Sequence, residues 1–392
     1  MQEGPAMCVQ TEYGSRYGLL GAMAREIAEG FTQAGIPTRQ GEPRPGDTFL
    51  WLNFPTSDAA LPPACREGSA SMVQYFVDHP FAIDPRVMDA LAKQPRHTLA
   101  LPCIDSNHLL RLRWPTLAHV PVLHGVRAAD VVTTESIEQS HATSEGARDI
   151  DILVAGSIHT EAELADLRER LPEPIRVLAD QVGSLIAAIP TMPAEQAMDL
   201  IIGPSGIAVG QWPLMAAVWR YAIASANRAR RLSLVRALQG LPVTVFGSHA
   251  WQPECTGTIR YVGNASYADM PALMRRARIC IAWGPTQFAH SFSERQLLSM
   301  ASGCATVSDD RLLARSILGP SPTRPEGILF YDAAQPASCR AHVERLLADP
   351  AAVASLATAG ASIVGAAHTW RHRAASLAPD MLQHASNPET AA

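Results

Sequence analysis

Short segments that are apolar throughout recur along the first third of the chain. Each is about as long as a β-strand and is followed by polar or turn-forming residues. Strands of this kind suit a parallel sheet that is covered on both faces. The first segment, Ala6 to Thr11, leads through a turn at Gly14 into an amphipathic helix from Leu19 to Phe31, which predicts a doubly wound α/β domain. The further strand segments are Phe49–Phe54, Val73–Val77, His97–Ile104 and Val120–Gly125.

A second series of the same kind follows a polar stretch, and the 392 residues are enough for two domains. We predict domains over residues 1–130 and 149–367, a linker over 131–148, and a C-terminal helix over 368–392 that packs across both. The strand segments of the second series are Asp151–Gly156, Val243–Ser248, Ile259–Gly263, Ile279–Trp283, Cys304–Asp310 and Ile328–Asp332.

Composition excludes some classes of protein. The net charge of −5 excludes a broadly basic nucleic-acid-binding protein. Seven cysteines without a CxxC pair predict free thiols in a reducing compartment, and the N-terminal residues lack the pattern of a signal peptide, so we expect a cytoplasmic protein. The uncharged segment Ile201–Trp219 contains prolines and glycines, which favours a buried helix over a membrane span.

Three places in the second half have the residue types of a phosphate or sugar site. Gly156-Ser157 and Gly247-Ser248 follow strand segments, where small residues let backbone N–H groups approach a phosphate; a tight structural turn is the alternative. Glu294 and Arg295 fall in the first turn of a helix. The carboxylate there suits sugar hydroxyls and the guanidinium suits a diphosphate, or Glu294 is a capping residue and Arg295 is exposed.

The segment from Ser293 to Asp310, SERQLLSMASGCATVSDD, resembles the donor-site helix of GT-B glycosyltransferases, in the form seen in the spore-maturation-protein-like (CgeB-like) group. Other segments resemble that group in the expected order, and together they cover most of the chain except Ile158–Leu241. These segments are Tyr75–Leu91, Leu101–Leu109, Val122–Gly125, Arg148–Ser157, Arg260–Ile281 and His368–Leu377.

This resemblance implies a GT-B fold, in which two Rossmann-like domains face a central cleft and a helical tail follows. It implies a hexosyltransferase that moves a sugar from a nucleotide-diphosphate donor to a protein, glycan or small-molecule acceptor. Arginine, backbone donors and a helix N-terminus stabilise the leaving diphosphate in this fold, so no metal or other cofactor is expected. The implied donor-binding residues are Gly156, Ser157, Asn264, Ala265, Tyr267, His290, Ser293, Glu294 and Arg295.

The sequence departs from the resemblance at two points. Leu298 stands where many GT-B enzymes have a ribose-binding glutamate, and Ala282-Trp283 end a strand where relatives often have asparagine. Two alternatives therefore stay open. One is a catalytically inactive relative that binds a sugar or nucleotide, and the other is a GT-B-fold nucleotide-sugar 2-epimerase.

On the acceptor side, an inverting transferase needs a general base near the acceptor hydroxyl. Asp78 and His79 are the predicted candidates, because they follow a strand segment; a turn without a catalytic role is the alternative, and a retaining mechanism would need no such base. Glu12 and Asp105 also follow or end strand segments and could face the cleft. The residues expected to shape the hinge or the acceptor side are Gly14, Asp105, His124 and Gly125.

Two patterns that can bind metals are not interpreted as metal sites. Asp149 and Asp151 open a strand segment at the end away from the ligand edge of the sheet. His368 and His372 form an HxxxH pair without the glutamate of a metalloprotease and with arginines beside it, which favours a packing or surface role.

Overall fold

The computed structural model describes residues 4–13, 18–53, 61–79, 81, 85–94, 96–102, 114–115, 117–142, 148–205 and 211–377. The chain forms two compact units. The N-terminal unit comprises Met1–Ala128 and Ala367–Ala392, and the C-terminal unit comprises Ala129–Ala366. The stretch predicted as a linker, residues 131–148, falls within the range of the C-terminal unit and contains a helix over Thr134–Ala142.

The N-terminal unit is built on a six-stranded parallel sheet of order β2-β1-β3-β4-β5-β6. Leu50 and Leu52 pack on one face of the sheet, whereas Phe49 and Met72 belong to a separate cluster. Both faces are therefore buried, as the uniformly apolar segments predict. The elements are β1 (Met7–Val9), α1 (Leu19–Gln33), β2 (Thr38–Arg39), β3 (Thr48–Leu52), α2 (Pro63–Arg66), β4 (Ser71–Tyr75), α3 (Pro85–Leu91), β5 (His97–Leu101) and β6 (Ala118–Pro121).

The end of the described chain completes the core of the N-terminal unit. Residues 370–377 are helical, and the Trp370 indole lies edge-on to Tyr75 with ring centroids 5.9 Å apart. The Trp370 Nε1 donates to Glu26 Oε2 at 3.3 Å. A Cβ on Gly30 would lie 2.6 Å from the Trp370 Cβ, so α1 needs a glycine where this indole packs.

The C-terminal unit contains a second parallel sheet, of order β12-β11-β10-β7-β8-β9. β7 and β10 are neighbours, and the later strands extend outward from each of them in opposite directions. A crevice therefore forms where these two strands end, which is where doubly wound domains bind ligands. The strands are β7 (Ile150–Ala155), β8 (Val243–Phe246), β9 (Arg260–Tyr261), β10 (Ala277–Ile281), β11 (Ala305–Asp309) and β12 (Leu329–Tyr331).

One helix of the C-terminal unit contributes residues to the candidate functional site described below. This helix, α8, begins at Trp212, which is fully buried, so the described end of the uncharged segment is a packed helix as predicted. The helices are α4 (Thr134–Ala142), α5 (Glu161–Glu169), α6 (Glu173–Ala188), α7 (Ala194–Ile202), α8 (Trp212–Ala237), α9 (Met270–Arg275), α10 (Glu294–Ala301), α11 (Leu312–Leu318), α12 (Pro336–Ala348) and α13 (Pro350–Ala367).

Within the described ranges, α13 is the one helix long and apolar enough to cross a membrane, judged by length and composition alone. Core helices of folded domains also meet that criterion. Gly360 of α13 lies against Gly327 and Met300, where a Cβ would come within 2.7 Å of the Gly327 carbonyl oxygen. This close approach indicates a helix packed within the unit.

The His97 side chain makes folding of the N-terminal unit sensitive to acid. Its Nδ1 lies 2.9 Å from the Leu91 carbonyl oxygen and its Nε2 lies 3.0 Å from the Gln74 side chain. Burial lowers the pKa of His97 from 6.5 to about 4. The unfolded chain thus takes up a proton below pH 6.5, whereas the folded chain does so only near pH 4.

We expect the free energy of unfolding to fall by about 3 kcal/mol as the pH is lowered from 6.5 to 4, because only the unfolded chain binds the proton in this range. Above pH 6.5, His97 is neutral in both states and this loss of stability is absent. Urea unfolding across this range, compared with His97→Gln, measures the effect. His249→Gln, at an exposed histidine of the other unit, is the control. An unchanged pH dependence in His97→Gln would contradict the prediction.

Candidate functional site

Glycine turns follow three neighbouring strands at the ligand edge of the C-terminal sheet. Gly156 follows β7, Gly247 follows β8 and Gly263 follows β9, with φ values of 154°, 159° and 101°. The Gly247 N–H donates to the Gly263 carbonyl at 2.9 Å, and the Trp251 Nε1 donates to the Gly156 carbonyl at 2.6 Å. Two of the turns, at Gly156 and Gly247, are the ones that the sequence singled out.

Gly156 makes room for an indole ring. A Cβ at this position would lie 2.9 Å from the Trp283 Nε1. Trp283 in turn stacks on Trp251, with centroids 6.3 Å apart and planes at 26°. The neighbouring Ser157 accepts a hydrogen bond from Arg231 Nη1 through its carbonyl oxygen. Packing against Trp283 thus explains the glycine without a phosphate, in line with the structural alternative.

Helix α5, which follows the Gly156 turn, has a capping box at its N-terminus that provides hydrogen-bond partners from its own residues. The Thr160 hydroxyl accepts from the Glu163 N–H at 3.1 Å, and Glu163 Oε2 accepts from the Thr160 N–H at 2.7 Å. Glu161 and Glu163 also place negative charge in the first turn, which disfavours an anion there. Positive charge at this edge comes from side chains instead.

Four arginines meet near the ends of β10 and β11, and the sequence interpretation missed three of them. α8 presents Asn227 one turn before two of the arginines, and Asn227 accepts from the Thr286 hydroxyl at 2.5 Å. Polar residues spaced three and four apart along one helix face are the signal that would have found this group. The arginines are Arg230, Arg231, Arg295 and Arg311, of which only Arg295 was expected.

The charges of this cluster are incompletely balanced. Burial, followed by repulsion from Arg295 and Arg230, lowers the pKa of Arg231 to about 9, so its guanidinium stays charged at neutral pH. That guanidinium carbon lies 5.2 Å from the centroid of the Trp283 ring. Arg230 Nη1 and Trp283 Nε1 are buried donors without a hydrogen-bond partner. Such donors leave hydrogen-bonding capacity that an anion or another acceptor can satisfy.

A small cavity lies among Arg230, Arg231, Trp283, Gly284 and Asp309. Its volume is about 20 Å³, which accommodates about one water molecule. A ligand larger than water therefore needs the Trp283 or arginine side chains to move.

Arg311 and Asp309 form a buried ion pair that holds the loop after β10. The Asp309 carboxylate accepts from Arg311 Nη2 at 2.7 Å and from the Gly284 N–H at 2.7 Å. Arg311 also donates to the carbonyls of Gly284, Pro285 and Phe288. Burial alone would raise the pKa of Asp309, but the Arg311 and Arg230 charges and the Gly284 N–H outweigh it and hold that pKa below its ordinary value.

The N-terminus of α10 contains the predicted Ser293, Glu294 and Arg295. Glu294 and Arg295 lie in the first turn as expected, with 3.9 Å between Glu294 Oε1 and Arg295 Nη2. Arg295 Nη1 lies 3.4 Å from the Trp283 carbonyl oxygen. Ser293 instead caps the helix: its hydroxyl accepts from the Arg295 N–H at 3.3 Å and donates to Gln296 Oε1 at 3.0 Å. A capping role therefore accounts for Ser293.

The remaining predicted donor residues lie in loops of the same unit. Asn264 is exposed in the loop after β9, and Tyr267 is buried in the turn that follows. His290 is half-buried, and its carbonyl oxygen accepts from the Leu313 N–H at 2.9 Å. Leu298, at the position that the resemblance assigns to a ribose-binding glutamate, is buried in α10.

In the N-terminal unit, the two predicted base candidates have different surroundings. Asp78 is exposed, and its carboxylate accepts from Asn53 Nδ2 at 2.9 Å. His79 is only 1% exposed; its Nδ1 accepts from the Phe81 N–H at 3.1 Å and its ring stacks on Phe81. This burial separates His79 from solvent, whereas Asp78 is accessible.

The residues expected at the hinge are held within the N-terminal unit. His124 is buried, with its Nδ1 3.0 Å from the Tyr75 hydroxyl. A Cβ on Gly125 would lie 2.9 Å from the Trp370 backbone nitrogen, so close packing requires this glycine. Gly14 and Asp105 lie outside the described residues.

The two sequence patterns that we did not interpret as metal sites both contact arginines. Asp149 pairs with Arg276 at 2.5 Å and Asp151 pairs with Arg278 at 3.0 Å, at the amino end of β7. His368 Nδ1 lies 2.7 Å from Arg373 Nη2. Burial and the charges of the adjacent arginines lower the pKa of His372.

Residues 228–378 match the family model described as glycosyl transferase-like, and this range contains all four arginines. Comparison with curated protein sequences finds no match. Among solved structures, the chain is similar to the DNA-modifying enzyme β-glucosyltransferase, with 9% identity, coverage of 98% of this chain and 100% of that chain, and a TM-score of 0.54.

Two further structures resemble the chain more weakly. Sucrose-phosphate synthase from Thermosynechococcus elongatus has 11% identity over 97% of this chain and 99% of that chain, with a TM-score of 0.47. Anabaena Alr3699/HepE, in complex with UDP and glucose, has 9% identity over 96% of this chain and 99% of that chain, with a TM-score of 0.46. With its two parallel six-stranded sheets, the chain has the α/β fold of the GT-B glycosyltransferases, and its residues 228–378 match a glycosyl transferase-like family.

Proposed function

We propose that this protein transfers a sugar from a nucleotide-diphosphate donor to an acceptor, and that the C-terminal unit binds the donor. The arginine cluster at the ends of β10 and β11 carries the proposal. Four guanidinium groups face the carboxylates of Asp309 and Glu294, which leaves an excess of two positive charges. A diphosphate of a sugar nucleotide carries two negative charges and suits this excess.

Arg231 and Arg295 are the groups proposed to hold the diphosphate. Both guanidinium groups contact backbone carbonyls, of Ser157 and Trp283, which a phosphate would outcompete as a charged acceptor. Fixed positive charge at the leaving diphosphate lowers the barrier to its departure, so the proposed reaction needs no divalent metal. Arg311, engaged with Asp309 and three carbonyls, positions the loop around them.

Asp78 is the proposed general base for a direct displacement, because it is accessible and Asn53 orients its carboxylate. The acceptor hydroxyl oxygen would form a bond to the anomeric carbon while its proton passes to Asp78. The bond from that carbon to the diphosphate oxygen breaks, and the diphosphate leaves with the electron pair. His79, buried against Phe81, is the weaker candidate.

The test measures the binding of UDP, GDP, CDP and dTDP to the full chain in the presence of EDTA. Binding is detected by thermal shift and by calorimetry. UDP is the first to try, since the structurally similar β-glucosyltransferase uses UDP-glucose. A nucleotide at a hundred times its Kd stabilises the folded state by about 2.7 kcal/mol. We expect Arg231→Gln to weaken binding by about 10- to 100-fold, because a hydrogen bond between charged groups is lost.

Arg236→Gln is the matched control. It removes the same charge from the same helix, but its side chain is 66% exposed and pairs with Glu254 away from the cavity. Equal losses in the two variants, or no shift with any of the four nucleotides, would contradict the proposed donor site.

A second candidate function is nucleotide-sugar binding without transfer, which is favoured by the buried Leu298 in place of a ribose-binding carboxylate. Nucleotide binding with no transfer to any acceptor would support it. Conversion of the donor sugar without an acceptor would indicate the epimerase instead.

A further inference from the structure

A pocket opens at the carboxyl edge of the N-terminal sheet. Its volume is about 570 Å³, which lies within the range of small-molecule sites. It lies beside β1 and β3, the neighbouring strands at which the order of this sheet reverses. Doubly wound domains bind ligands at that point.

One wall of the pocket is aromatic. Phe49 and Trp51, two residues apart on β3, line it, with ring centroids 5.6 Å apart and planes at 70°. Tyr13 lies edge-on to Trp51 with centroids 6.3 Å apart, which fixes the orientation of the indole. The Trp51 Nε1 is buried without a hydrogen-bond partner. The wall thus offers a flat apolar face and a donor that a ligand oxygen could satisfy.

Polar side chains also line the pocket, beside the apolar Val9, Leu61, Pro62 and Pro63. Gln10 and Gln40 provide amides, and Glu12 and Glu42 provide exposed carboxylates. Amides donate and accept hydrogen bonds, and carboxylates accept them. A ring with several hydroxyl groups matches this set, because each hydroxyl both donates and accepts while the C–H face of the ring packs on an aromatic side chain.

We propose that this pocket binds the acceptor of the transfer reaction and that the acceptor is a saccharide. The proposal rests on the proposed function and specifies its acceptor. Trp51 is followed two residues later by Asn53, whose side chain holds the carboxylate of Asp78. Asn53 continues β3 beyond the aromatic wall, and Asp78 follows the neighbouring strand β4. The hydrogen bond from Asn53 thus joins the strand of the aromatic wall to the proposed base.

The experiment applies the full chain to an array of immobilised mono- to tetrasaccharides, printed beside peptides that contain serine, threonine and tyrosine. We expect retention on at least one group of saccharides. Trp51→Ala and Glu12→Gln should each weaken it at least tenfold. Trp51→Phe, which keeps an aromatic ring but loses the indole N–H, should have a smaller effect. Glu29→Gln, at an exposed carboxylate on α1, is the matched control and should leave retention unchanged.

Nucleotide binding by the same variants separates this inference from the proposed function. Three results would contradict the proposal of a saccharide acceptor without contradicting the donor site. They are nucleotide binding with no saccharide retained, retention on peptides alone, and saccharide binding that Trp51→Ala and Glu12→Gln leave unchanged. Saccharide binding that depends on Trp51, in a chain that binds no nucleotide, would support a sugar pocket while contradicting the transferase. Trp51 belongs to the N-terminal unit and the proposed donor site to the C-terminal unit, so circular dichroism and a cooperative thermal transition equal to that of the parent protein are required to show that Trp51→Ala is folded.

Discussion

Replacing Arg311 by methionine is expected to lower the free energy of unfolding by about 3–5 kcal/mol, because it leaves a buried carboxylate without its main partner. Arg311 is 1% exposed and joins Asp309 to the carbonyls of Gly284, Pro285 and Phe288. After the substitution, Asp309 keeps the Gly284 N–H and the more distant Arg230, 3.5 Å away. Urea or thermal unfolding measures the loss.

An exposed ion pair provides the control. Arg170 is 68% exposed and pairs with Asp166 one turn earlier on α5, so Arg170→Met should change the free energy of unfolding by less than about 1 kcal/mol. The double variant Asp309→Asn, Arg311→Met removes the buried charge together with its partner. It should recover part of the stability, and equal instability of the single and double variants would show that packing, not charge, dominates.

Gly247→Ala is expected to have an effect of similar size through the backbone. A Cβ at residue 247 would lie well inside 3.0 Å of the Gly156 carbonyl oxygen, at a backbone φ of 159°. That oxygen has little room to move, since it accepts from Trp251 Nε1 and the Gly156 N–H donates to Phe246. We expect a loss of roughly 4 kcal/mol or more, seen as a lower melting temperature or as failure to obtain folded protein.

Gly203→Ala is the comparison for this variant, because a Cβ there has nothing within 4 Å and Gly203 is exposed. It should stay close to the parent protein in stability. A Gly247→Ala protein as stable as Gly203→Ala would mean that the turns after β7 and β8 can separate without cost.

The fold could be predicted from sequence because its signal is local. Uniformly apolar segments such as Phe49–Phe54 report burial on both faces of a sheet, and both sheets are parallel as expected. The two-residue strands β2 and β9 carry little such signal: β2 was missed, and β9 is shorter than the predicted segment. The placement of residues 367–377 in the N-terminal unit depends on contacts between distant parts of the chain, which no local pattern encodes.

The candidate site was predictable only in part, for the same reason. The position of Glu294 and Arg295 in a first helical turn follows from adjacent residues, whereas the meeting of Arg231 with Trp283 joins α8 to a loop about fifty residues later. The spacing of Ser293 and Gln296 is that of a capping box, a pattern that the sequence alone shows. This role accounts for a serine at position 293 without a ligand.

The order in which the two units can complete folding during synthesis follows from the path of the C-terminal segment. The C-terminal unit is one continuous stretch, Ala129–Ala366, and all of its strands are available once that stretch has been synthesised. The N-terminal unit, although made first, waits for Trp370 to fill the space beside Gly30 and Tyr75. The unit translated first is therefore the last to complete its core, and during translation its apolar surface is the one that chaperones would have to shield.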